Sequence, residues 1–288
     1  MSTPFNAGSR IDSHLHVWDL EVSDYAWLNR EQGSLYATYT AADAKAELDA
    51  SGMDRAVLVQ AEDSLADTEF LLDTADANAW VAGVVGWVAL DDPAATEHAL
   101  DHWQQHRAFC GVRNLLHMDP RADFLTLPGV RESLALLATR RIPYDIPDAW
   151  PRHLPAAEAL AADFPDLTIV IDHLGKPPIG RPDYADWREA IARVAAYPNT
   201  VGKFSGMRVP GTPFTAAALR PTWETALELF EPSRLMYGGD WPMTVPAGGY
   251  GPTWRVMAEL IGELSAGEQS LLMGGTAVAT YRLGRAAS

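Results

Sequence analysis

Eight short apolar runs recur along the chain, and helical patterns separate most of them. They are RIDSHLH, RAVLVQ, VAGVVGWVAL, FCGVRNLL, IPYDIP, LTIVIDHLG, TVGKFSG and RLMYGGDWP. Strands alternating with helices are the pattern of βαβ units around a parallel sheet, because parallel neighbours need a crossover long enough to hold a helix. The fifth run carries two prolines, each lacking a ladder donor, and is the least regular of the eight. An open doubly wound sheet is expected to carry a glycine-rich phosphate loop, GxGxxG, after its first strand, and none is present. Eight strands with eight interleaved helices and no low-complexity linker predict one (β/α)8 TIM barrel over residues 11–288. Residues 1–10 read as a short N-terminal extension.

The helical stretches have recognisable ends. Thr40 and Asp43 form a capping-box pattern before AADAKAELDA, with Gly52 placed for a left-handed stop. DDPAATEHALDHWQQH opens on acidic residues and a proline, and LPGVRESLALLATRR closes on two arginines. PAAEALAADF, YADWREAIARVAAY, PTWETALELF and PTWRVMAELI follow, with a last helix capped by Ser265 and Glu268.

The 288 residues carry a formal charge of −16, which argues against nucleic acid and anionic membranes as partners. A small-molecule substrate, anionic ones included, remains compatible, since a few local cations can reverse the field inside a cleft. Cys110 is the lone cysteine, so no intrachain disulfide is expected. MSTPFNAGSR lacks the apolar core of a signal peptide, and no run of about 18 apolar residues occurs. A cytoplasmic location is the expectation.

In a barrel of this kind the active site forms at the C-terminal ends of the strands. Those ends hold His14 and His16, Gln60 and Glu62, Trp87, Arg113 and Asn114, Asp145, Asp172 and His173, Lys203, and Asp240 and Trp241. His14 and His16 lie two apart on a strand, so both imidazoles point to one place, a common metal-ligand spacing. Strand alternation predicts His173 at the mouth and Asp172 on the other face. Asp240, between Gly239 and a Trp-Pro pair, is suited to general-base work on a water. Arg113 can grip a carbonyl or carboxylate with two hydrogen bonds, and Lys203 can act similarly. Asp145 is as well explained by a turn between Pro143 and Pro147. Trp18, Tyr25 and Trp27 belong to a long loop after the first strand that either walls the pocket or packs on itself. His98, His102 and His106 recur every four residues on one helix and predict a solvated outer face.

In order, HLHVWD, AVLVQA, VVGWVAL, GVRNLL, DHLGKP, GKFSG and YGGDWPM resemble the amidohydrolase superfamily from about Ile11 to Tyr281. The resemblance is to its sugar-lactonase branch, which includes L-fuconolactonase, L-rhamnonolactonase and 2-pyrone-4,6-dicarboxylate lactonase. It implies a distorted (β/α)8 barrel and hydrolysis of a sugar lactone or related cyclic ester. It also implies that Asp240 activates water while His14, His16 and His173 polarise the carbonyl or, with Asp240, hold a divalent ion. Some members carry zinc and others work without metal, so the cofactor stays open. Gln60, Arg113, Asn114, Trp18, Trp27, Asp145, Lys203 and Trp241 are the expected substrate-binding residues. Asn114 stands where many relatives have histidine, with His117 a turn further on, which bears on how the leaving group is protonated. A metal-dependent decarboxylase of the same superfamily and a non-catalytic barrel that binds a sugar acid are the alternatives.

Overall fold

A computed structural model describes residues 8–284. Most of the N-terminal extension, residues 1–7, lies outside the described residues. All eight expected runs are strands: β1 (Ile11–Leu15), β2 (Arg55–Val59), β3 (Val81–Gly86), β4 (Phe109–Arg113), β5 (Tyr144–Ile146), β6 (Ile169–Ile171), β7 (Thr200–Phe204) and β8 (Leu235–Tyr237). They pair in parallel in chain order from β1 to β8. Beyond β8 the seam is closed by backbone bonds, Asp240 N–H to the His14 carbonyl and His16 N–H to the Trp241 carbonyl, both 2.8 Å. Ser13 Oγ adds a 2.7 Å bond to the Tyr237 carbonyl. The fold is therefore a (β/α)8 barrel, joined at the point where the candidate site lies.

One helix follows each strand: α1 (Ala41–Ala50), α2 (Leu65–Ala77), α3 (Pro93–Trp103), α4 (Pro128–Arg140), α5 (Leu154–Asp163), α6 (Tyr184–Ala195), α7 (Ala216–Phe230) and α8 (Tyr250–Ile261). Short α9 (Ala266–Ser270) and α10 (Thr276–Tyr281) end the described chain. Both expected capping boxes, Thr40 with Asp43 and Ser265 with Glu268, are formed reciprocally. The sequence pattern does not reveal α2. Its buried face includes Asp67 and Thr68 beside Leu71, Leu72 and Ala75, so polar residues interrupt the apolar stripe. Asp67 accepts from the Tyr25 hydroxyl and the Ala61 N–H, fastening the first loop to the barrel.

Most of the apolar core lies between the sheet and the helices. A second cluster fills the lower barrel: Val57, Val59, Val85, Val170 and Met236 pack against Ala277, Tyr281 and Leu283 from α10 and its end. The lower interior of the barrel is thus packed with side chains. Among the described residues, no helix is long and apolar enough to cross a membrane.

Candidate active site

The HxH pair converges as the strand geometry requires. His14 and His16 are buried, with their Nε2 atoms 3.1 Å apart. His16 Nδ1 lies 2.8 Å from the Val59 carbonyl, which can only accept, so its proton is on Nδ1 and its Nε2 carries a lone pair. Burial pushes the His14 imidazole down to about 3, although Asp172 pulls the other way, and burial also holds His16 and His173 well below the usual histidine range. All three rings are neutral at pH 7.

Asp240 completes the centre. Its Oδ1 lies 3.8 Å from each of three atoms: His14 Nε2, His16 Nε2 and His173 Nε2. Asp240 has φ of 54°, and the positive-φ turn follows two glycines that let the chain pass close to β1. A Cβ on Gly239 would lie 2.5 Å from Asp12 Oδ2 and collide with Tyr250; one on Gly206, whose φ is +58°, would lie 2.5 Å from His173 Nδ1. Burial pushes the Asp240 carboxyl up to about 7, against the pull of Lys176. A carboxyl balanced there can both take and return a proton near neutrality.

Beneath the imidazoles runs a buried ionic chain. Lys203 Nζ pairs with Asp145 Oδ2 at 2.7 Å and Asp172 Oδ1 at 2.9 Å, all three side chains being inaccessible. Arg113 Nη1 reaches Asp172 Oδ2 at 3.3 Å, and its Nη2 donates to the Gln60 carbonyl. Burial works to raise the Asp172 carboxyl, but Lys203, His14 and Arg113 together hold it well below the usual range. Asp172 is thus a permanent anion under His14.

That position corrects the expectation for Asp172: Val170 faces the barrel interior, and Asp172, two residues on, keeps to the same face. The strand stops at Ile171, and His173 and Leu174 turn to φ of 56° and 51°, so Asp172 and His173 both reach the barrel mouth. His173 Nδ1 meets Ser205 Oγ at 2.8 Å. Ser205, two residues after Lys203 in GKFSG, is one of the partners that sequence reasoning passes over.

Above the centre opens a cleft with about 530 Å³ of empty space, walled by His16, Trp18, Trp27, Arg113, His173 and Asp240 among others. Trp18 and Trp27 serve as wall and loop core together, since their indole N–H groups donate to the Ala37 and Ala61 carbonyls. Five other expected binders sit elsewhere. Gln60, Asp145 and Lys203 are wholly buried below the cleft, and Trp241 packs edge-on against Tyr39. Asn114 turns its Nδ2 to the Val88 carbonyl at 3.0 Å and borders a neighbouring hollow with Trp87. His117 lines the cleft instead, as do Lys176 and Asp148. Lys176 Nζ stands 4.0 Å from Asp240 Oδ2 and 3.8 Å from Asp148 Oδ1. Glu62 braces the first loop through Ala26 N–H. His98 and His102 are exposed as expected, and His106 pairs with Asp76 at 3.3 Å.

The donors suit a divalent ion. His14, His173 and Asp240 each offer an atom within 4.8 Å of the others, and His16 Nε2 adjoins them. A tetrahedral ion with bonds of about 2.1 Å keeps its ligands about 3.4 Å apart, between the 3.1 and 3.8 Å spacings found here. Each imidazole also has a partner at its other nitrogen, namely Asp172, Val59 or Ser205, the outer support that metal-binding histidines require.

The profile of the amidohydrolase family Amidohydro_2 matches residues 11–283, nearly the whole chain. The chain belongs to this amidohydrolase family. The amidohydrolase is 32% identical to an L-fucono-1,5-lactonase of Burkholderia ambifaria over 281 residues, covering 96% of each chain. It is 33% identical to an L-fucono-1,5-lactonase of Burkholderia multivorans over 288 residues, covering 95% of this chain and 96% of the relative. A crystal structure of a Burkholderia multivorans amidohydrolase with bound zinc superposes with a TM-score of 0.86 at 32% identity, covering 95% of this chain and 99% of that one.

Proposed function

We propose that this amidohydrolase hydrolyses a polar lactone, of the sugar-lactone class, to its hydroxy acid. The observation that carries the reading is the Asp240 carboxylate facing three neutral imidazoles and adjoining Arg113 in a cleft. Asp240 takes a proton from water as the oxygen bonds to the lactone carbonyl carbon. Charge then develops on the carbonyl oxygen, where the Arg113 guanidinium and an imidazole N–H can stabilise it. Collapse of the tetrahedral intermediate breaks the ring C–O bond, and the proton held on Asp240 passes to the departing alkoxide. The ring oxygen becomes the hydroxyl of the product and the attacking oxygen joins its carboxyl group.

His14, His16, His173 and Asp240 are the residues that would hold a divalent ion. When bound, such an ion supplies Lewis-acid polarisation and a more acidic water. Trp27, backed by the buried Trp18, offers the flat apolar surface on which a sugar ring can rest, and Lys176, Asp148 and His117 offer polar contacts for its hydroxyls. Both curated relatives described above are named as lactonases, which favours lactone opening over the decarboxylase alternative. One half-buried cysteine places no demand on an oxidising compartment, which supports a cytoplasmic enzyme.

The test is acid release, followed with a pH indicator, from a panel of aldono-1,4- and aldono-1,5-lactones with and without chelator. Turnover of L-fucono-1,5-lactone or a neighbour in the series is expected. Carbon dioxide release from aromatic acids, with no lactone opened, would overturn the proposal in favour of the decarboxylase.

A further inference from the structure

His14 Nδ1 has two neighbours with opposite demands. Lys203 Nζ, at 3.2 Å, offers a proton, and Asp172 Oδ1, at 3.3 Å, asks for one. A neutral imidazole satisfies only one of them, and its choice fixes what Nε2 presents to the site. Lys203 has three N–H bonds and three acceptors within reach: Asp145 Oδ2 at 2.7 Å, Asp172 Oδ1 at 2.9 Å and His14 Nδ1 at 3.2 Å. If His14 carried its proton on Nδ1, the third N–H of a wholly buried ammonium would be left without an acceptor, a costly state. With the proton on Nε2 the ammonium keeps His14 Nδ1 as its third acceptor and Nε2–H faces the His16 Nε2 lone pair at 3.1 Å, while Arg113 Nη1, 3.5 Å from Nε2, donates instead to Asp172 Oδ2 at 3.3 Å. The Val59 carbonyl fixes that lone pair from behind.

We propose that Lys203 is a positioning residue that holds His14 as the Nε2–H tautomer in the ion-free enzyme, so that ion binding requires the proton to cross the ring to Nδ1. Nδ1–H then donates a hydrogen bond to Asp172, and the Lys203 N–H gives up its partner. The lysine thereby weakens ion binding, whereas Asp172 strengthens it. The ion-free site retains an N–H donor where an ion would otherwise sit. This inference concerns the resting site and is independent of which ester, if any, the protein opens.

The deciding experiment is long-range proton–nitrogen correlation NMR on chelator-treated wild-type protein labelled with ¹⁵N-histidine, the His14 signals being identified by their loss in His14→Gln. A pattern dominated by Nε2–H is expected, changing to Nδ1–H when zinc is added. Dominance of Nδ1–H, or an even mixture, in the ion-free protein would overturn the proposal. Zinc competition titrations supply a second arm. Lys203→Gln should bind zinc at least about tenfold more tightly than wild type, and Asp172→Asn about 10- to 100-fold more weakly. Weakening in both variants would mean that Lys203 merely supports the barrel, and would also overturn the assignment.

Discussion

The Asp12 carboxylate on the first strand accepts the N–H of Gly239 just beyond the last, at 2.9 Å to Oδ1 and 3.0 Å to Oδ2, across 227 residues of sequence. It also accepts the His14 N–H at 2.9 Å and the Tyr250 hydroxyl at 2.7 Å. One side chain therefore sets the spacing between the HxH strand and the turn that carries Asp240. Asp12→Ala leaves three buried donors without an acceptor and should cost about 3–5 kcal/mol. Thermal melting should fall by about 10 °C. A wild-type melting temperature would rule out the clasp.

Asp240→Asn keeps the shape of the side chain but cannot accept the water proton. Turnover should drop by about 10²–10⁴-fold with melting unchanged. Activity within a few fold of wild type on the best lactone would remove Asp240 from the role of base.

Acid sensitivity follows from the same carboxyl. Burial raises Asp240 to about 7, and the base works only when ionised, so kcat/KM of the chelated enzyme should fall as pH drops through about 7. Lys176 opposes the rise; Lys176→Gln removes that opposition and should move the acid limb to higher pH. Adding zinc favours the ionised carboxylate and should move the limb to lower pH. A pH–rate profile for each form reads all three shifts.

Trp27 pins its indole to the Ala61 carbonyl at 2.6 Å while facing the cleft. Trp27→Ala should raise KM for a sugar lactone by about tenfold, in line with the roughly 1–2 kcal/mol that an aromatic surface contributes to a bound ring. Steady-state kinetics would show kcat changing far less, since Trp27 does not touch the reacting atoms. An equal loss in both parameters would mean that the loop distorts the centre itself.

At Tyr281 the lower end of the barrel offers a control remote from the cleft. Its hydroxyl donates to Asp145 Oδ2 at 2.6 Å, tying α10 to the ionic chain. Tyr281→Phe should cost about 1.5–3 kcal/mol, because the acceptor is a buried carboxylate. Denaturant unfolding measures the loss.

Every strand was legible because β-branched runs and breaking glycines or prolines are local signals, and His14, His16, His173 and Asp240 stand at strand ends where a barrel places chemistry. What local pattern could not convey was backbone direction after β6. The positive φ at His173 swings that imidazole to the interior face that Val170 and Asp172 already occupy, where an ideal strand would point it outward. Lys203 and Asp145 also read as cleft residues because nothing local tells how deep in a barrel a strand residue sits. Asn114 failed to reach the cleft for a similar reason: its amide found the Val88 carbonyl on the next loop. Tyr281 has no local signal, since its importance lies in an acid 136 positions earlier.

The seam between the first and last strands has a consequence for synthesis. His14 leaves the ribosome well before its partner Asp240, which follows more than 200 residues later. At about 5–20 residues per second the interval is on the order of 10–45 s. Throughout it, β1 has one unpaired edge and its two imidazoles lack their carboxylate. A chain interrupted before YGGDWPM carries both histidines but cannot close the barrel, so it lacks a working centre.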